Sequence, residues 1–409
     1  MNATCSCRSC SSPDLYPFLD LGLQPLANNL LRPGDDTGTE PRFPLRVAVC
    51  QACWLVQIIE TVPPTALFEE YLYFSSFSDA MLSHARVAVD QHIVACRLDH
   101  KSFVIEIASN DGYLLKNFVA AGIPCLGVEP AKNIAVVAEA AGIPTLCEFF
   151  GRDTAARVLR EHGPADLILG NNVFAHAPDI NDFIAGMALL LNEDGRVVVE
   201  FPYLGNFIDQ LEFDTVYHEH VFYFSVTALQ PAFARHGLEI FDAEKIDIHG
   251  GSLRLSAGKA GSQPVTERLT ALITEEQAAG MTTTRYYGEF AQRILHLKQK
   301  LTALVAGLKA KGHSIAAYGA SAKGSTLLNY FGIGQETLDF VADRSTYKQG
   351  RLTPGTHLRI VDPSELLEKK PDFTLLLTWN FATEILRQQE AYTRAGGQFI
   401  IPLPEPRIA

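Results

Sequence analysis

The 409-residue sequence has no block of basic residues: 34 lysines and arginines stand against 46 acidic residues, for a formal net charge of -12. This argues against nucleic acid or an anionic membrane as the main partner and favours a small molecule. No uninterrupted apolar run reaches the length of a membrane span, and the N-terminus MNATCSCRSC lacks the charged and apolar segments of a signal peptide. A cytoplasmic protein is expected. In that reducing compartment the eight cysteines are thiols or metal ligands and not disulfides. Two phosphate fingerprints are also missing. Ser109-Asn110-Asp111-Gly112 holds a single glycine where G-x-G-x-x-G needs three, and GASAKGST departs from the P-loop because Lys323 precedes Gly324.

With 47% apolar residues, a chain of this length supports two or three cores. The divisions expected are residues 1–66, 67–262 and 263–409. In the first, Cys7-x2-Cys10 and Cys50-x2-Cys53 are two knuckles of a tetrahedral thiolate site. Four cysteinates leave no position for water, so the zinc is structural. Cys5 is a spare that could compete with Cys7, while Cys96, Cys125 and Cys147 are isolated and read as core. A nucleic-acid-binding ribbon is the competing use, and the acidic balance weighs against it. The aromatic segment around Tyr71, Tyr73, Phe74 and Phe77 reads as core or as a lid in which Tyr71 or Tyr73 presents a hydroxyl.

From Ser102 onward, strands alternate with helices. SFVIEIA is a buried parallel strand containing Glu106 and ending in Ala108. The turn Asn110-Asp111-Gly112 leads into a helix from Tyr113, and CLGVEP is a second strand ending in Glu129-Pro130, the acid lying seventeen positions after Gly112. An acid there can accept both hydroxyls of a ribose. A nucleoside without phosphate, such as S-adenosylmethionine, is compatible with the single glycine. TLCEFF, DLILGN and RVVVEF are further strands. Asn171, Asn172 and His176 lie at the carboxyl end of the fourth, where ligands gather in open parallel sheets, and Glu200 lies near the end of the fifth. Leu238–Ile246 and Ser252–Lys259 form an antiparallel hairpin around His249, which reads as a turn residue.

Pro264–Thr284 reads as a polar connection. A long helix follows on Tyr287, Phe290, Ile294, Leu297, Leu301, Leu304 and Leu308, stopped by Gly312. A second α/β pattern begins at HSIAAYGASAKGST. Backbone N–H groups at its helix start, with Ser321, Lys323 and Ser325 beside them, suit a diphosphate; Arg344 and Lys348 lie past the adjacent strand. Without that role Lys323 is a solvated surface charge.

Between the two α/β regions lies TVYHEHVFYFS, where Tyr217, His218, Glu219 and His220 place four proton-handling side chains in a row. A histidine flanked by glutamate and tyrosine can remove a proton near neutral pH. A turn with hydrogen-bonded histidines, or an HxH pair of metal ligands, are the other readings.

Taken in order, these motifs resemble the S-adenosylmethionine-dependent C-methyltransferases that act on nucleotide-linked 4-keto deoxysugars in antibiotic and surface-glycan pathways. The resemblance spans the whole chain: the four cysteines, YLYFSSFS at 71–78, EIASNDGYLL at 106–115, NNVFAH at 171–176, YHEHVFYFS at 217–225, HGGSLR at 249–254, YGASAKGST at 318–326, DRSTYKQG at 343–350 and TWNF at 378–381. Ala108 departs from it, since the family commonly has glycine there; the methyl group is expected to crowd the methionine part of the cofactor without abolishing binding.

The resemblance implies an α/β protein with an N-terminal four-cysteine zinc-binding module, a central class I methyltransferase (Rossmann-like) domain and a C-terminal second Rossmann-like domain. It implies His220 as base, with Tyr217, Glu219, His176 and Tyr71 in the same pocket. The cofactor residues implied are Glu106, Ala108, Asn110, Asp111, Gly112, Tyr113, Glu129, Pro130, Asn171 and Asn172. A nucleotide-diphosphate 4-keto sugar is expected on Tyr318, Ser321, Lys323, Asn329, Asp343, Arg344, Lys348 and Trp379. The expected reaction, in a monomer, is deprotonation beside the ketone and methyl transfer to carbon, at C3 of a dTDP-linked sugar. A preorganised hydroxyl or protonated imidazole would stabilise the enolate oxygen. The alternatives are C5 methylation, an NAD-dependent sugar-nucleotide oxidoreductase, and a zinc-ribbon scaffold without catalysis.

Overall fold

The computed structural model of the protein describes residues 5–63, 67, 74–248 and 250–409. Tyr71, Tyr73 and His249 lie outside the described residues. In chain order the strands are β1 (Leu15–Pro25), β2 (Arg42–Cys50), β3 (Val56–Ile58), β4 (Val104–Ile107), β5 (Cys125–Val128), β6 (Thr145–Leu146), β7 (Ala165–Asn171), β8 (Leu191–Pro202), β9 (Phe222–Tyr223), β10 (Leu238–Ile246), β11 (Ser252–Lys259), β12 (Ile315–Tyr318), β13 (Val341–Ala342), β14 (Ile360–Val361), β15 (Phe373–Leu376), β16 (Gln398–Ile401) and β17 (Arg407–Ile408).

The central sheet runs β10-β11-β8-β7-β4-β5-β6, parallel from β8 to β6 and closed at the other edge by the antiparallel hairpin β10–β11. β4 and β5 are buried along their whole length, as expected of strands covered on both faces by crossover helices. This is the class I methyltransferase arrangement, with the order reversing between β4 and β7. The C-terminal sheet, β14-β13-β12-β15-β16-β17, is parallel except for its last strand and reverses between β12 and β15. Both reversals open a crevice at the strand carboxyl ends.

Edge strands are shorter than their apolar runs. TLCEFF contributes two residues to β6, after which Cys147 and Phe149 are exposed, and LRIV contributes two to β14. A strand with one neighbour has half the ladder to hold its ends. Most of Pro264–Thr284 is a helix, Glu267–Ala279, capped by the Thr266 side chain and ended by Gly280 at φ +82°. In the long helix Thr284–Ala310, Val305 is buried where the apolar spacing pointed to Leu304.

The first sheet has the order β1-β2-β3-β9, so the zinc-bearing module takes its fourth strand from the chain immediately after His220. The long helix also binds the module to the central domain: Phe18 of β1 packs on Tyr287 and Phe290, and Phe290 packs on Phe207.

One buried group joins the helix Glu267–Ala279 to the helix Val226–Ala234. The Glu276 carboxylate is fully buried and accepts N–H bonds from Val226 and Thr227, both at 2.8 Å, together with the Thr227 hydroxyl. Glu276→Ala leaves those donors unpaired and is expected to lower unfolding stability by roughly 2–4 kcal/mol. Chemical denaturation would measure this; a loss below about 1 kcal/mol would mean the donors find water.

Candidate functional site

The cysteine knuckles are built as two copies of one turn. Ser11 N donates to the Cys7 carbonyl and Trp54 N to the Cys50 carbonyl, each at 2.8 Å, and Ser11 and Trp54 both sit at φ +62°. Cys7 N then reaches Ser12 O, and Cys50 N reaches Leu55 O. The turns bring the sulfurs of Cys7, Cys10, Cys50 and Cys53 within 4.8 Å of one another. Cys7–Cys53 and Cys10–Cys50 are 3.5 and 3.6 Å apart. Sulfurs about 2.3 Å from a tetrahedral zinc stand about 3.8 Å apart, so this donor set fits the ion with small adjustment. Cys5 is not part of the cluster; its thiol points to the Ile59 carbonyl at 3.7 Å.

At the carboxyl ends of β4 and β5 the chain makes a tight turn, with Ala108, Asn110 and Gly112 at φ +53°, +51° and +76°. A Cβ on Gly112 would strike the Ile143 side chain. The left-handed conformation of Ala108 is a reason for glycine at this position, and a non-glycine residue there carries about 1 kcal/mol of strain. The Glu129 oxygens accept N–H bonds from Asn110 at 3.0 Å and Ala131 at 2.8 Å, each keeping a second lone pair. Burial raises the Glu129 pKa, against the pull of those two bonds.

Glu106, in mid-strand, is held well above the ordinary carboxylate range by burial and then by Glu129, Asp111 and Glu200. Glu106 Oε2, Asp111 Oδ1 and Asn171 Oδ1 are buried acceptors without a partner among the described residues. Tyr113 is buried behind the turn and Pro130 half-buried beside Glu129. Asn171 ends β7, and Asn172, at φ +56°, donates its N–H to the Glu200 carbonyl at 2.7 Å. Burial works against ionisation of Glu200, but His84 and Arg254, each 2.7 Å away, outweigh it and hold its carboxyl below the ordinary range. This acceptor-rich, anionic lining suits a cationic ligand.

The segment before the helix Asp79–Cys96 closes over the same turn. Ser75 N donates to Asn110 Oδ1 and Ser76 N to Asp111 Oδ2. Phe74 and Phe77 stack with Tyr347 of the C-terminal domain.

Three of the predicted catalytic residues come together. His220 Nδ1 lies 2.8 Å from the Thr215 carbonyl, which selects the tautomer protonated at Nδ1; Nε2 then accepts the Tyr217 hydroxyl at 2.8 Å. The His176 ring stands edge-on to His220 with centroids 4.9 Å apart. Burial lowers the His176 pKa to about 4, which favours the neutral imidazole at pH 7. Val221 N binds the Ala175 carbonyl, fixing the stretch to the turn Phe174–His176. Glu219 is 5% exposed, and burial raises its pKa to about 7. Its Oε1 accepts the Asn28 side chain at 2.7 Å.

Several of the C-terminal candidates converge on the turn before the helix Ala322–Phe331. Ser321 caps Gly324 N, Asn329 binds the Ser325 and Pro354 carbonyls, Asp343 holds Ala320 N and Ser345 N, and Lys348 donates to the Ala320 carbonyl. Arg344 lines an opening of about 430 Å³ with Asp362, Gln388 and Gln389; Gln389 reaches the Tyr318 hydroxyl. Lys323 lies 5.2 Å over the Trp379 ring and faces Asp214 and Glu212. Trp379 Nε1 donates to Asp214 Oδ2 at 2.7 Å, and burial pushes Asp214 to about 6 and Glu212 to about 7 against the pull of Lys323. Lys323 is thus half-buried between an indole and two acids, and not a solvated surface charge. The Thr326 hydroxyl binds the Val216 carbonyl at 3.0 Å, so the C-terminal domain meets the Tyr217–His220 stretch directly.

Asn28, Glu212, Asp214 and the Thr215 carbonyl were not singled out by sequence reasoning. Acids set in the apolar run Leu211-Glu212-Phe213-Asp214 were a legible signal. Asn28, 191 residues from its partner, gave none.

Residues 7–68 match a zinc binding domain family, 81–243 a methyltransferase domain family and 247–404 the C-methyltransferase C-terminal domain family. With the four-cysteine cluster and the class I sheet, these define an S-adenosylmethionine-dependent C-methyltransferase, and the chain belongs to that family. It is 38% identical over 403 residues to the C-methyltransferase NovU of Streptomyces niveus, covering 98% of this chain and 96% of that one. Solved structures are similar in part. The magnesium protoporphyrin IX methyltransferase of Synechocystis PCC 6803 with bound SAH is 14% identical, with 48% of this chain and 92% of that one covered at TM-score 0.35. An S-adenosylmethionine-dependent methyltransferase from Clostridium acetobutylicum ATCC 824 is 11% identical, with 44% and 92% covered, also at 0.35. These scores are too low to bear on function. No helix among the described residues is long and apolar enough to cross a membrane.

The metal centre gives a direct test. The purified protein is expected to carry about one equivalent of zinc, and Cys53→Ser to lose it together with thermal stability. Elemental analysis beside a melting curve checks both. A metal-free preparation melting like the wild type would contradict a structural zinc.

Proposed function

We propose that the protein methylates a carbon next to the ketone of a nucleotide-linked 4-keto deoxysugar, at C3 of a dTDP-linked sugar. The observation that carries this reading is His220, fixed by the Thr215 carbonyl so that Nε2 is the basic nitrogen, set against Tyr217 and His176 where the methyltransferase domain meets the C-terminal domain. S-adenosylmethionine, when bound, supplies an electrophilic methyl group on a sulfonium. Glu129 offers its second lone pairs to the ribose hydroxyls, while Asp111, Asn171 and the turn at Asn110–Gly112 hold the amino-acid end. The negative lining favours the cationic donor over its neutral product and so assists release.

A ketone acidifies the hydrogen on its neighbouring carbon because the carbanion delocalises onto oxygen. Once the Tyr217 hydroxyl turns from Nε2 to the substrate oxygen, His220 Nε2 takes that proton. The Tyr217 hydroxyl, or an N–H of neutral His176, donates to the developing enolate oxygen, worth several kcal/mol at about the scale of one oxyanion-hole donor. Transfer to carbon then depends on alignment, which the segment Phe74–Phe77 favours by covering the turn and limiting water. Lys323 and Trp379 contact the substrate from the C-terminal side. The substrate's diphosphate would draw Lys323 from the Glu212–Asp214 pair, and those carboxyls, already raised by burial, would protonate more readily.

His220→Asn is expected to cut turnover at least 100-fold while S-adenosylhomocysteine binding in calorimetry is unchanged; near-normal turnover would remove His220 as base. Glu129→Ala is expected to weaken that binding about tenfold or more, and unchanged affinity would place the ribose elsewhere. The reading as a whole is tested with labelled methyl donor and a panel of 4-keto sugar nucleotides, locating the new carbon by NMR. Label at C3 supports it, label at C5 moves the reaction across the ketone, and label on oxygen or nitrogen overturns it.

A further inference from the structure

Glu219 lies within the Tyr217–His220 stretch, yet the side chain that grips its carboxyl comes from the zinc-binding module. Asn28 Nδ2 donates to Glu219 Oε1 at 2.7 Å across 191 residues of chain. We propose that Asn28 is a positioning residue of the methyltransferase site: its carboxamide holds the Glu219 carboxylate in place beside His220, so the metal-bearing module completes the site.

The loop carrying Asn28 is anchored on both sides. Leu30 N binds the Asn28 carbonyl, and Leu31 exchanges backbone bonds with Leu352 of the C-terminal domain at 3.1 and 2.8 Å. Just before it, Pro25 packs so close to Gly355 that a Cβ there would stand 2.9 Å from the proline ring. After it, Glu40 accepts from Gly355 N and from His357 Nε2. A donor on so constrained a loop loses little freedom in keeping its geometry.

The module also holds the residues on either side of Glu219. Pro44 O binds His218 Nε2 at 3.2 Å, Phe43 packs on the same ring, and Ile58 N binds the Val221 carbonyl ahead of the β3–β9 pairing. Three of the four residues from His218 to Val221, His218 by its ring, Glu219 by its carboxyl and Val221 by its carbonyl, are therefore set from the zinc module.

Burial alone drives a carboxyl toward its neutral form, and an amide donor opposes this by favouring the anion. Those are the two influences acting on Glu219. The titratable groups around it are His176, whose ring bonds to the Glu219 backbone, and on its own stretch Tyr217, His218, His220 and Tyr223. From the module, Glu60 acts on His218. The C-terminal domain presents Thr326, which does not titrate in this range.

This inference rests on the proposed role of the Tyr217–His220 stretch, and the test separates the two. Infrared titration follows the protonated-carboxyl band assigned to Glu219 by its loss in Glu219→Gln, with no substrate present. Its midpoint, near 7 in the wild type, is expected to rise by about one pH unit in Asn28→Ala. Asn28→Asp, nearly isosteric, guards against misfolding and is expected to raise it further, since two carboxyls then face each other. With the substrate found in the panel, Asn28→Ala should lower kcat about tenfold, shift the acid limb of the pH profile upward, and add nothing to Glu219→Gln in the double variant. An unmoved band, or effects that add, would overturn the role of Asn28. Wild-type turnover by Glu219→Gln would instead overturn the reading of the site beneath it.

Discussion

The pairing of β3 with β9 is the contact on which the rest depends. The stretch Thr215–Val221 belongs by sequence to the methyltransferase domain, but its exit strand is the fourth strand of the zinc module's sheet. Its entrance is held by the C-terminal domain through Thr326 and the Phe213–Phe331 stack, and its middle by the turn Phe174–His176. Three bodies thus fix seven residues. The tautomer and direction of His220 follow from that fixation, because the Thr215 carbonyl is where it is only while both ends are held.

This arrangement gives the zinc a purpose that a coordination list would miss. Four thiolates close the ion off from chemistry. They do set the turn at Cys50–Cys53, from which β3 leaves, and β3 in turn aligns β9 behind the Tyr217–His220 stretch. A metal that is closed to chemistry can therefore still fix the position of side chains remote from it. The acid-rich lining at Glu106, Asp111, Glu129 and Glu200 follows a similar economy: burial first, and then the neighbouring acids, raise the Glu106 pKa well above the ordinary carboxylate range.

Much of this was legible in the residues. The cysteine spacing declared the module, and the wholly apolar strands around Glu106 and Glu129 declared a sheet buried on both faces. The ends of strands were less legible, since Phe149 and its neighbours are apolar without being paired. Hidden from the sequence were the contacts that cross it. A two-residue strand such as β9 has no periodicity to read, and Asn28 looks like any turn asparagine. Lys323 was read by its neighbours in the chain, as a phosphate ligand or a surface charge. In space it faces Asp214 and Glu212, carried on another domain. Local pattern reports on helices and strands because their bonds are local; a site assembled from three bodies is specified by pairings that only the folded chain brings together.

A sheet whose last strand lies far downstream has a consequence for synthesis. Once Cys53 and β3 have left the ribosome, the module can bind metal and fold three strands, but the open side of β3 must wait for residue 222. At elongation rates of about 5–20 residues per second that interval is on the order of ten to thirty seconds. Throughout it a short apolar edge, Val56 to Ile58, stands uncovered and able to pair with a neighbouring nascent chain. Holding that edge to three residues limits the hazard.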